Sequence, residues 1–273
     1  MDKQISLLIL AAGMGSRYGG LKQIEEIGPN GESLAELTAY DGLKYGCSKI
    51  VFIIKEENEK TIREKFKKIS EKIKTEFVIQ KNPIKNRVKP LGTGQAALCA
   101  KDHINEPFIV ANADDHYGPK SIKMLVDFLK ENEQSAIVTF PLRKTLSTHG
   151  AVSRGICEIN EKNNLTTIKE THGLKGPSEK NTPVSMNLWG FQPNIFKGLS
   201  ESYERFLNEL EDDNSEFLLP EFIEQKIKTE NLEIKALCSN EEWCGVTYKD
   251  DFKHVRNKIS KKFEEGRYPY DFW

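Results

Sequence analysis

A glycine-rich segment near the start of the chain has the composition of a phosphate-binding loop. The apolar run Ser6–Leu10 is followed by residues 11–23, whose sequence is AAGMGSRYGGLKQ. Glycines let backbone N–H groups approach an anion closely, and the segment adds two cations, Arg17 and Lys22. An apolar run that stops at such a loop predicts a buried strand followed by a site for phosphate groups.

The spacing of the glycines does not fit two well-known phosphate loops. A dinucleotide-binding turn has the pattern G-x-G-x-x-G, closed by a helix, with an acidic residue about 20 positions later. Here the glycines stand at Gly13, Gly15 and Gly19, and no strand ending in an acid follows at that distance. A Walker A loop needs Gly-Lys-Ser/Thr at its end. Leu21 follows Gly20 where that lysine should stand, so this pattern fails as well.

Two adjacent carboxylates follow a second apolar run. Phe108–Ala111 predicts a buried strand, and Asp114 and Asp115 come shortly after it. Mg²⁺ prefers oxygen ligands and usually takes one or two carboxylates together with substrate phosphates. We therefore expect Asp114 to be a magnesium ligand with Asp115 as its neighbour, the alternative being an aspartate turn without metal. The neighbouring His116 is expected to have a structural or electrostatic role.

Composition and charge favour a globular protein with small-molecule partners. The chain has 273 residues and a formal net charge of −1 from 40 basic and 41 acidic residues, which does not favour a nucleic-acid binder. The five cysteines are scattered without a C-x-x-C pair, so we expect reduced thiols, no zinc and a cytoplasmic location. No signal peptide is evident, and no apolar stretch reaches the roughly 20 residues that cross a bilayer.

Alternating apolar and amphipathic segments must position these residues. In the first half, strands are predicted at Ser6–Leu10, Lys49–Ile54, Phe77–Gln80, Phe108–Ala111 and Ala136–Phe140. Helices are predicted between them at Ser33–Tyr45, Asn58–Ile73, Gly94–Lys101 and Ser121–Glu131. This alternation favours an α/β fold with a mixed, mostly parallel Rossmann-like sheet flanked by helices, and ligands at the carboxyl ends of the strands.

The pattern changes after residue 142. Three strands of a β-ribbon region are predicted at Val152–Ile159, Leu165–Glu170 and Val184–Phe191. Further elements are predicted as helices near Asn194–Glu209 and Glu216–Lys228, a strand at Leu232–Leu237 and a last helix near Asp250–Glu264. We expect a single domain over residues 1–273, made of two halves that meet between residues 142 and 143.

These motifs together resemble the sugar-phosphate nucleotidyltransferase superfamily. Its signature loop, Leu-Ala-(Ala/Gly)-Gly-x-Gly-x-Arg followed by a lysine, is similar to residues 10–22, although Leu21 stands where many members have proline. Ala113-Asp114 resembles the metal-binding motif of the family. The segment Leu91-Gly92-Thr93-Gly94-Gln95-Ala96 resembles the motif with which uridylyl- and thymidylyl-transferring members contact the pyrimidine.

The resemblance implies roles for individual residues. It implies that residues 1–142 bind the nucleotide and residues 143–273 bind the acceptor. The implied nucleotide-binding residues are Leu10, Ala11, Ala12, Gly13, Gly15, Gln80, Gly92 and Thr93. The implied catalytic residues are Arg17, Lys22 and Asp114, and the implied magnesium ligands are Asp114 and Asp251. The implied acceptor-binding residues are Gly150, Glu170 and Asn187, with Arg154 near the acceptor phosphate.

The reaction implied by the resemblance joins a nucleoside triphosphate, UTP or dTTP above all, to a sugar 1-phosphate and releases pyrophosphate, with Mg²⁺ as cofactor. Two alternatives stay open. The pair Lys22-Gln23 also resembles cytidylyltransferases that act on polyol or amino-alcohol phosphates, and a non-catalytic nucleotide or nucleotide-sugar binding module is the other. The expected partners are small molecules, with no nucleic acid and no membrane. Homo-oligomerisation stays open, because the aromatic tail Tyr268–Trp273 could pack on its own domain or on a neighbour.

Overall fold

Strands and helices alternate through the first half of the chain in the computed structural model. The structure describes residues 3–13, 21–84, 87, 89–147, 150–176, 181–210, 212, 214–246, 251–271 and 273. The elements of the first half are β1 (Ser6–Leu10), α1 (Leu34–Tyr45), β2 (Lys49–Ile54), α2 (Glu59–Lys65), α3 (Lys67–Lys72), β3 (Lys74–Ile79), α4 (Thr93–Leu98), β4 (Phe108–Asn112), β5 (Asp115–His116), α5 (Pro119–Glu131) and β6 (Ser135–Pro141). The predicted bounds of β1 and β2 match residue for residue, and both strands are buried at every position.

The second half begins with a β-ribbon and ends with helices. Its elements are β7 (Val152–Ile159), β8 (Leu165–Leu174), β9 (Pro183–Phe191), α6 (Ile195–Asn208), α7 (Leu219–Glu230), β10 (Ile234–Cys238), β11 (Cys244–Gly245) and α8 (Asp251–Glu264). Strand β8 runs four residues past its predicted end at Glu170. It does so because the residues after Glu170 continue to pair with β7, as Arg154 with Thr171 and Val152 with Leu174 show.

Strands from both halves form one open sheet. Among the described residues it has nine strands, in the order β10-β6-β9-β4-β1-β2-β3, with β7 pairing to β9 and β8 to β7. The pairs β1–β2, β1–β4, β2–β3 and β6–β10 are parallel. Strand β9 runs antiparallel to both β4 and β6 and therefore joins the two parallel parts. The predicted fold class, a mixed and mostly parallel Rossmann-like sheet flanked by helices, is confirmed.

Helices cover both faces of this sheet. Along β1, Leu7 and Ile9 pack in the layer under α1, α2 and α5, whereas Leu8 packs in the layer with α4, α6 and α7. This alternation follows from the two-residue period of a strand that is buried on both sides. A third apolar cluster joins α8 and the C-terminal segment to α1, through residues such as Leu37 and Phe263.

The predicted helix Asn58–Ile73 is wrong in one respect, because it is broken in the middle. The structure has α2 and α3 with Phe66 between them, at φ −96° and ψ 15°. The Phe66 ring is fully buried and stacks on Phe52 at 4.5 Å between ring centroids. The backbone therefore leaves the helical conformation at the residue whose side chain enters the core.

Two further differences concern elements near the candidate site. Helix α7 begins at Leu219 and not at Glu216, because Phe217 pairs with the loop before α4. Its N–H donates to the carbonyl of Leu91 at 2.7 Å, and its carbonyl accepts from Gly94 N at 2.9 Å. The short antiparallel pair β5–β11 was not expected, since two residues cannot show a periodic pattern.

Candidate active site

An open cleft of about 630 Å³ lies at the carboxyl ends of β1 and β4 and against the ribbon β7–β9. The residues that line it and were expected from the sequence are Leu10, Gly13, Lys22, Asp114, Arg154, Glu170 and Asn187. The first four lie on one side, which we call the parallel wall. Glu170 and Asn187, together with Arg154, lie on the antiparallel wall. Residues that were expected in two halves of the chain thus border one cavity.

The parallel wall starts where β1 ends. Ala113 N donates to Leu10 O at 3.1 Å, which ties the end of β1 to the turn after β4. Gln23 Nε2 donates to Gly13 O at 2.6 Å and fixes the backbone of the chain as it enters the loop. The predicted nucleotide contacts Ala11 and Ala12 are each 2% exposed and lie behind the cleft surface. Two other expected residues, Gly15 and Arg17, lie outside the described residues.

Lys22 meets Asp114 across this wall. Lys22 Nζ lies 3.4 Å from Asp114 Oδ2, and the side chains are 11% and 37% exposed. This separation is too long for a tight ion pair, since N⁺–H···O⁻ bonds usually measure about 2.7–2.9 Å. Both groups border the cavity, so an anion or a cation that enters it can interact with each of them.

The two adjacent acids have different environments. Asp115 is 8% exposed, and its Oδ2 accepts from Asn112 Nδ2 at 2.8 Å and from the Tyr117 hydroxyl at 3.2 Å. Burial, and then the charge of Asp114, raise the pKa of Asp115 well above that of an exposed aspartate. Both acids line the cavity, but the Asp115 carboxyl is engaged in internal hydrogen bonds, whereas the Asp114 carboxylate is more exposed.

Asn112 is a cleft residue that the sequence analysis missed. It is the last residue of β4, it lines the cavity, and its Oδ1 accepts from Asn187 Nδ2 at 2.8 Å. This contact joins the two walls directly. The available signal was its position, because polar residues at the carboxyl end of a parallel strand border the ligand crevice of such sheets.

On the antiparallel wall, Asn187 has an unusual backbone conformation. Its φ is +59°, in the left-handed region that asparagine tolerates better than most residues. It lies where the pairing of β6 and β9 shifts, since Ile137 pairs with Trp189 but Thr139 pairs with Ser185. The extra residues of β9 form a bulge, and bulges redirect side chains next to functional sites. The bulge places the Asn187 amide at the cleft.

Arg154 and Trp243 form the base of the same wall. The Arg154 guanidinium lies 4.9 Å from the centre of the Trp243 ring, and its Nε donates to Thr145 O at 3.1 Å. Burial lowers the pKa of Arg154, although the charges of Asp115 and Glu170 act in the opposite direction. The indole N–H of Trp243 is buried and has no hydrogen-bond partner among the described residues.

Glu170 provides the negative charge on this wall. It lines the cavity from β8, and partial desolvation raises the pKa of its carboxyl, against the charges of His172 and Arg154. A carboxylate with free acceptor capacity suits ligand hydroxyl groups. Gly150, the third residue expected here, precedes β7 and does not border the cavity.

The residues expected to contact the base lie close to one another but outside the main cavity. Gln80 Nε2 donates to Gly92 O at 3.4 Å and to Gln95 Oε1 at 2.5 Å. The hydroxyl oxygen of Thr93 accepts from Leu219 N at 3.1 Å, so it fixes the start of α7. Gly92 has φ +97°, and a Cβ there would lie 2.7 Å from Phe217 O. A glycine is therefore required at this position by packing alone.

An ion pair that the sequence did not indicate connects this segment to the cleft. Lys89 Nζ lies 2.5 Å from Glu216 Oε1, and both residues line the cavity. They come from the loop before α4 and from the segment before α7. The buried Arg87 reinforces the junction, because its Nη2 donates to Ser215 O at 2.7 Å.

The described residues fit a magnesium ion that relies on few protein ligands. No group of three or more His, Cys, Asp or Glu side chains that could hold a metal occurs in the described part of the chain. Asp114 presents a carboxylate to the cavity, which is enough for Mg²⁺ when phosphates and water complete its shell. Asp251 is 7% exposed, accepts from the Ser147 hydroxyl at 3.0 Å and does not line the cavity.

Residues 6–262 match the family model described as nucleotidyl transferase. The chain belongs to this family, and it is accordingly a nucleotidyltransferase. No curated protein sequence matches it. Within the described ranges, no helix has both the length and the apolar character needed to span a bilayer.

Solved structures of similar fold cover almost the whole chain at low sequence identity. An inositol-1-phosphate CTP transferase from T. maritima is 14% identical, with a TM-score of 0.66, over 94% of this chain and 96% of that one. A protein from Bacillus anthracis assigned as a glucose-1-phosphate thymidylyltransferase, in complex with a sucrose, is 14% identical, with a TM-score of 0.69 over 93% and 95%. A UDP-glucose pyrophosphorylase complexed with UDP-glucose is 20% identical, with a TM-score of 0.66 over 95% and 99%.

Proposed function

We propose that this protein transfers a nucleotidyl group from a nucleoside triphosphate to a sugar 1-phosphate, with UTP or dTTP favoured and Mg²⁺ as cofactor. The observation that carries the proposal is the arrangement of the two walls. The parallel wall offers a cation and a carboxylate, Lys22 and Asp114, to a triphosphate and its metal. The antiparallel wall offers an amide and a carboxylate, Asn187 and Glu170, to hydroxyl groups.

The proposed reaction needs no protein nucleophile. An oxygen of the acceptor phosphate attacks the α-phosphorus, the bond from that phosphorus to the bridging oxygen of the β-phosphate breaks, and pyrophosphate leaves with the electron pair. Lys22 stabilises the negative charge that develops on the phosphates. Asp114 would hold Mg²⁺, which when bound neutralises phosphate charge and orients the triphosphate. The rate enhancement then comes from positioning and charge stabilisation.

The acceptor would bind against the antiparallel wall. Asn187 and Glu170 would hydrogen-bond hydroxyls of the acceptor. The Arg154 guanidinium is positive and lies at the base of the same wall, which suits the acceptor phosphate. Since Asn187 also donates to Asn112 on the parallel wall, a bound acceptor would be aligned with the end of β4.

A second candidate differs only in its substrates. Gln23 lines the cleft beside Lys22, and that pair also resembles cytidylyltransferases of polyol or amino-alcohol phosphates. The likeness in fold to an inositol-1-phosphate CTP transferase supports keeping a polyol phosphate acceptor under test.

We also propose a cytoplasmic location. All five cysteines are free thiols, as expected in a reducing compartment. Cys47, Cys157 and Cys244 are buried, and burial raises the pKa of each of these thiols to about 12. They are therefore unreactive at neutral pH.

The substrates can be identified by measuring pyrophosphate release with Mg²⁺ for four nucleoside triphosphates, each combined with a panel of sugar 1-phosphates and polyol phosphates. We expect release that requires one sugar 1-phosphate together with UTP or dTTP. A requirement for CTP and a polyol or amino-alcohol phosphate would select the second candidate. Tight nucleotide binding without pyrophosphate release for any pair would contradict both and indicate a binding module.

A further inference from the structure

Three buried side chains form a continuous hydrogen-bonded chain behind the Asp114 turn. The Tyr268 hydroxyl donates to Asp41 Oδ2 at 2.8 Å, and His116 Nε2 lies 2.8 Å from the same hydroxyl oxygen. Each of the three residues is at most 1% exposed. When the Tyr268 hydroxyl gives its single proton to Asp41, His116 Nε2 is the donor in the second hydrogen bond.

This chain joins three segments that are far apart in sequence. Asp41 is on α1, His116 is in β5, and Tyr268 follows α8. Helix α1 also reaches β5 directly, since the Thr38 hydroxyl donates to Asp115 O at 3.4 Å. Thr38 and Asp41 are three residues apart and so lie on one face of the helix. Thr38 contacts the turn itself, whereas Asp41 reaches it only through Tyr268.

The hydrogen bonds around the turn fix every residue next to Asp114. The Asp115 carboxylate is held by Asn112 and Tyr117, and the backbone of His116 pairs with that of Cys244 in β11. The His116 ring is held by Tyr268. The Asp114 carboxylate, by contrast, faces the cleft and meets only the distant Lys22 ammonium at 3.4 Å among the hydrogen bonds of the described residues.

We propose that Tyr268 is a positioning residue, which acts through His116 to hold Asp114 in the orientation that binds the metal. The proposal rests on the role of Asp114 in the proposed function. Tyr268 fills the gap between α1 and β5, so the C-terminal segment becomes part of the support of the active site. Groups that hydrogen-bond behind metal-binding residues commonly contribute a factor of about 10 to 100 in metal affinity.

The ring of Tyr268 is held independently of its hydroxyl. It lies 5.9 Å from the Tyr40 ring and 5.5 Å from the Phe263 ring, measured between centroids. Tyr268→Phe should therefore keep the packing and remove only the hydroxyl. Tyr270→Phe is a matched control, because Tyr270 is in the same segment, also contacts Phe263 at 5.5 Å, and is 55% exposed.

Two measurements on the full-length protein test the proposal. Hydrogen exchange followed by mass spectrometry reports on the turn through peptides that cover residues 108–117, and needs neither metal nor substrate. Mn²⁺ binding in the presence of a nucleoside triphosphate, followed by electron paramagnetic resonance, reports on Asp114. For Tyr268→Phe we expect faster exchange in the turn and an affinity for Mn²⁺ about tenfold lower, with turnover restored at high Mg²⁺. Tyr270→Phe should match the wild type in both.

A pair of His116 variants gives a second route if Tyr268→Phe does not fold. His116→Gln keeps an N–H that can donate to the Tyr268 hydroxyl and should retain Mn²⁺ affinity, whereas His116→Leu should lose it. Exchange and Mn²⁺ affinity in Tyr268→Phe equal to those of Tyr270→Phe would overturn the proposal, as would faster exchange with unchanged Mn²⁺ affinity. If the wild type bound no Mn²⁺, the magnesium proposal would fail and this inference would fail with it, whereas Mn²⁺ binding by the wild type that is unchanged in Tyr268→Phe would overturn this inference alone.

Discussion

The two walls of the cleft are built in different ways. On the parallel wall, Gly13 and Asp114 follow the ends of β1 and β4, two strands that pair with each other in regular register. On the antiparallel wall, Asn187 and Arg154 lie within strands, and each lies where the strand pairing shifts in register. The parallel wall thus depends on the topology of the fold, whereas the antiparallel wall depends on local departures from regular pairing.

This difference has a consequence for how each wall can change. A strand end remains at the edge of the sheet whatever its side chains are. The residues that follow it on the parallel wall therefore keep their positions at the cleft. The side-chain direction of a bulge residue depends on its own φ and on the number of extra residues in its strand. Small changes of sequence can therefore alter which ligand the antiparallel wall binds. This wall contains the residues that we propose bind the acceptor.

Apart from the loss of Asp114, the largest effect is expected on the parallel wall, from Lys22→Met. Loss of the ammonium should lower kcat by a factor on the order of 10²–10³, because preorganised charge that stabilises the transition state is removed. Steady-state kinetics with the identified substrates would measure it. Lys123→Met is the matched control, since Lys123 is exposed on α5 and pairs with Asp127. Wild-type turnover in Lys22→Met, with unchanged substrate affinity, would show that the parallel wall does not stabilise the transferred group.

An intermediate effect is expected at the bulge. The variants Asn187→Gly and Asn187→Ala together distinguish the contribution of the side-chain amide from that of the backbone conformation. Both variants should raise KM for the acceptor about tenfold, which corresponds to the free energy of one lost hydrogen bond. Both variants should lose stability, because the buried Trp189 Nε1 loses its acceptor Asn187 Oδ1. The alanine variant should lose more, since alanine tolerates φ +59° poorly and glycine adopts it freely. Acceptor kinetics and thermal unfolding would measure the two effects. Equal stability of the two variants would mean that the backbone conformation does not constrain this wall.

A somewhat smaller effect is expected for Glu170→Gln. The amide still offers an oxygen to acceptor hydroxyls but lacks the charge, so KM for the acceptor should rise about fivefold while nucleotide affinity stays unchanged. Calorimetric titration with nucleotide alone and kinetics with acceptor separate the two. Glu158→Gln, on the exposed part of β7, is the control. Weaker nucleotide binding in Glu170→Gln would contradict the assignment of the walls.

The last comparison concerns the stability of the fold on the side of the parallel wall, and not turnover or substrate affinity. Burial raises the pKa of Asp41 to about 8, far above its unfolded value near 3.9. The folded state therefore holds a proton that the unfolded state releases, and the contribution of Asp41 to the free energy of unfolding falls between about pH 4 and pH 8 and then levels off.

Asp41→Asn removes this titration while leaving an oxygen to accept from Tyr268. Compared with the wild type, the variant should gain in Tm as pH rises from 5 to 9. Thermal unfolding across that range would measure it. A difference in Tm that does not change with pH would show that Asp41 is ionised in the fold throughout the range.

The sequence predicted the parallel wall better than the antiparallel wall, for physical reasons. Apolar runs define β1 and β4, and the residues just after them, Gly13 and Asp114, lie at the cleft as expected. Asn187 and Glu170 were indicated only by family resemblance, since no periodic pattern reveals a bulge. The ion pair of Lys89 with Glu216 left no signal, because it joins segments that meet only in the folded chain.

Some expectations stay predictions. Gly15 and Arg17 lie outside the described residues, and the roles of Gln80, Gly92 and Thr93 in contacting a base depend on a bound nucleotide. The tail after α8 could not be assigned from sequence to its own domain or to a neighbour. In the structure, Tyr268 is buried against α1 of the same chain, because its hydroxyl finds a partner there in Asp41.

The most direct test of the account is pyrophosphate release by Asp114→Asn, with Asp127→Asn as control. Asp127 is an exposed aspartate on α5 that pairs with Lys123, well away from the cleft. With Mg²⁺ and the substrate pair found for the wild type, we expect Asp114→Asn to lose turnover by a factor on the order of 10³ and Asp127→Asn to keep it. Turnover at the wild-type rate in Asp114→Asn would contradict the claim that this cleft is the nucleotidyl-transfer site.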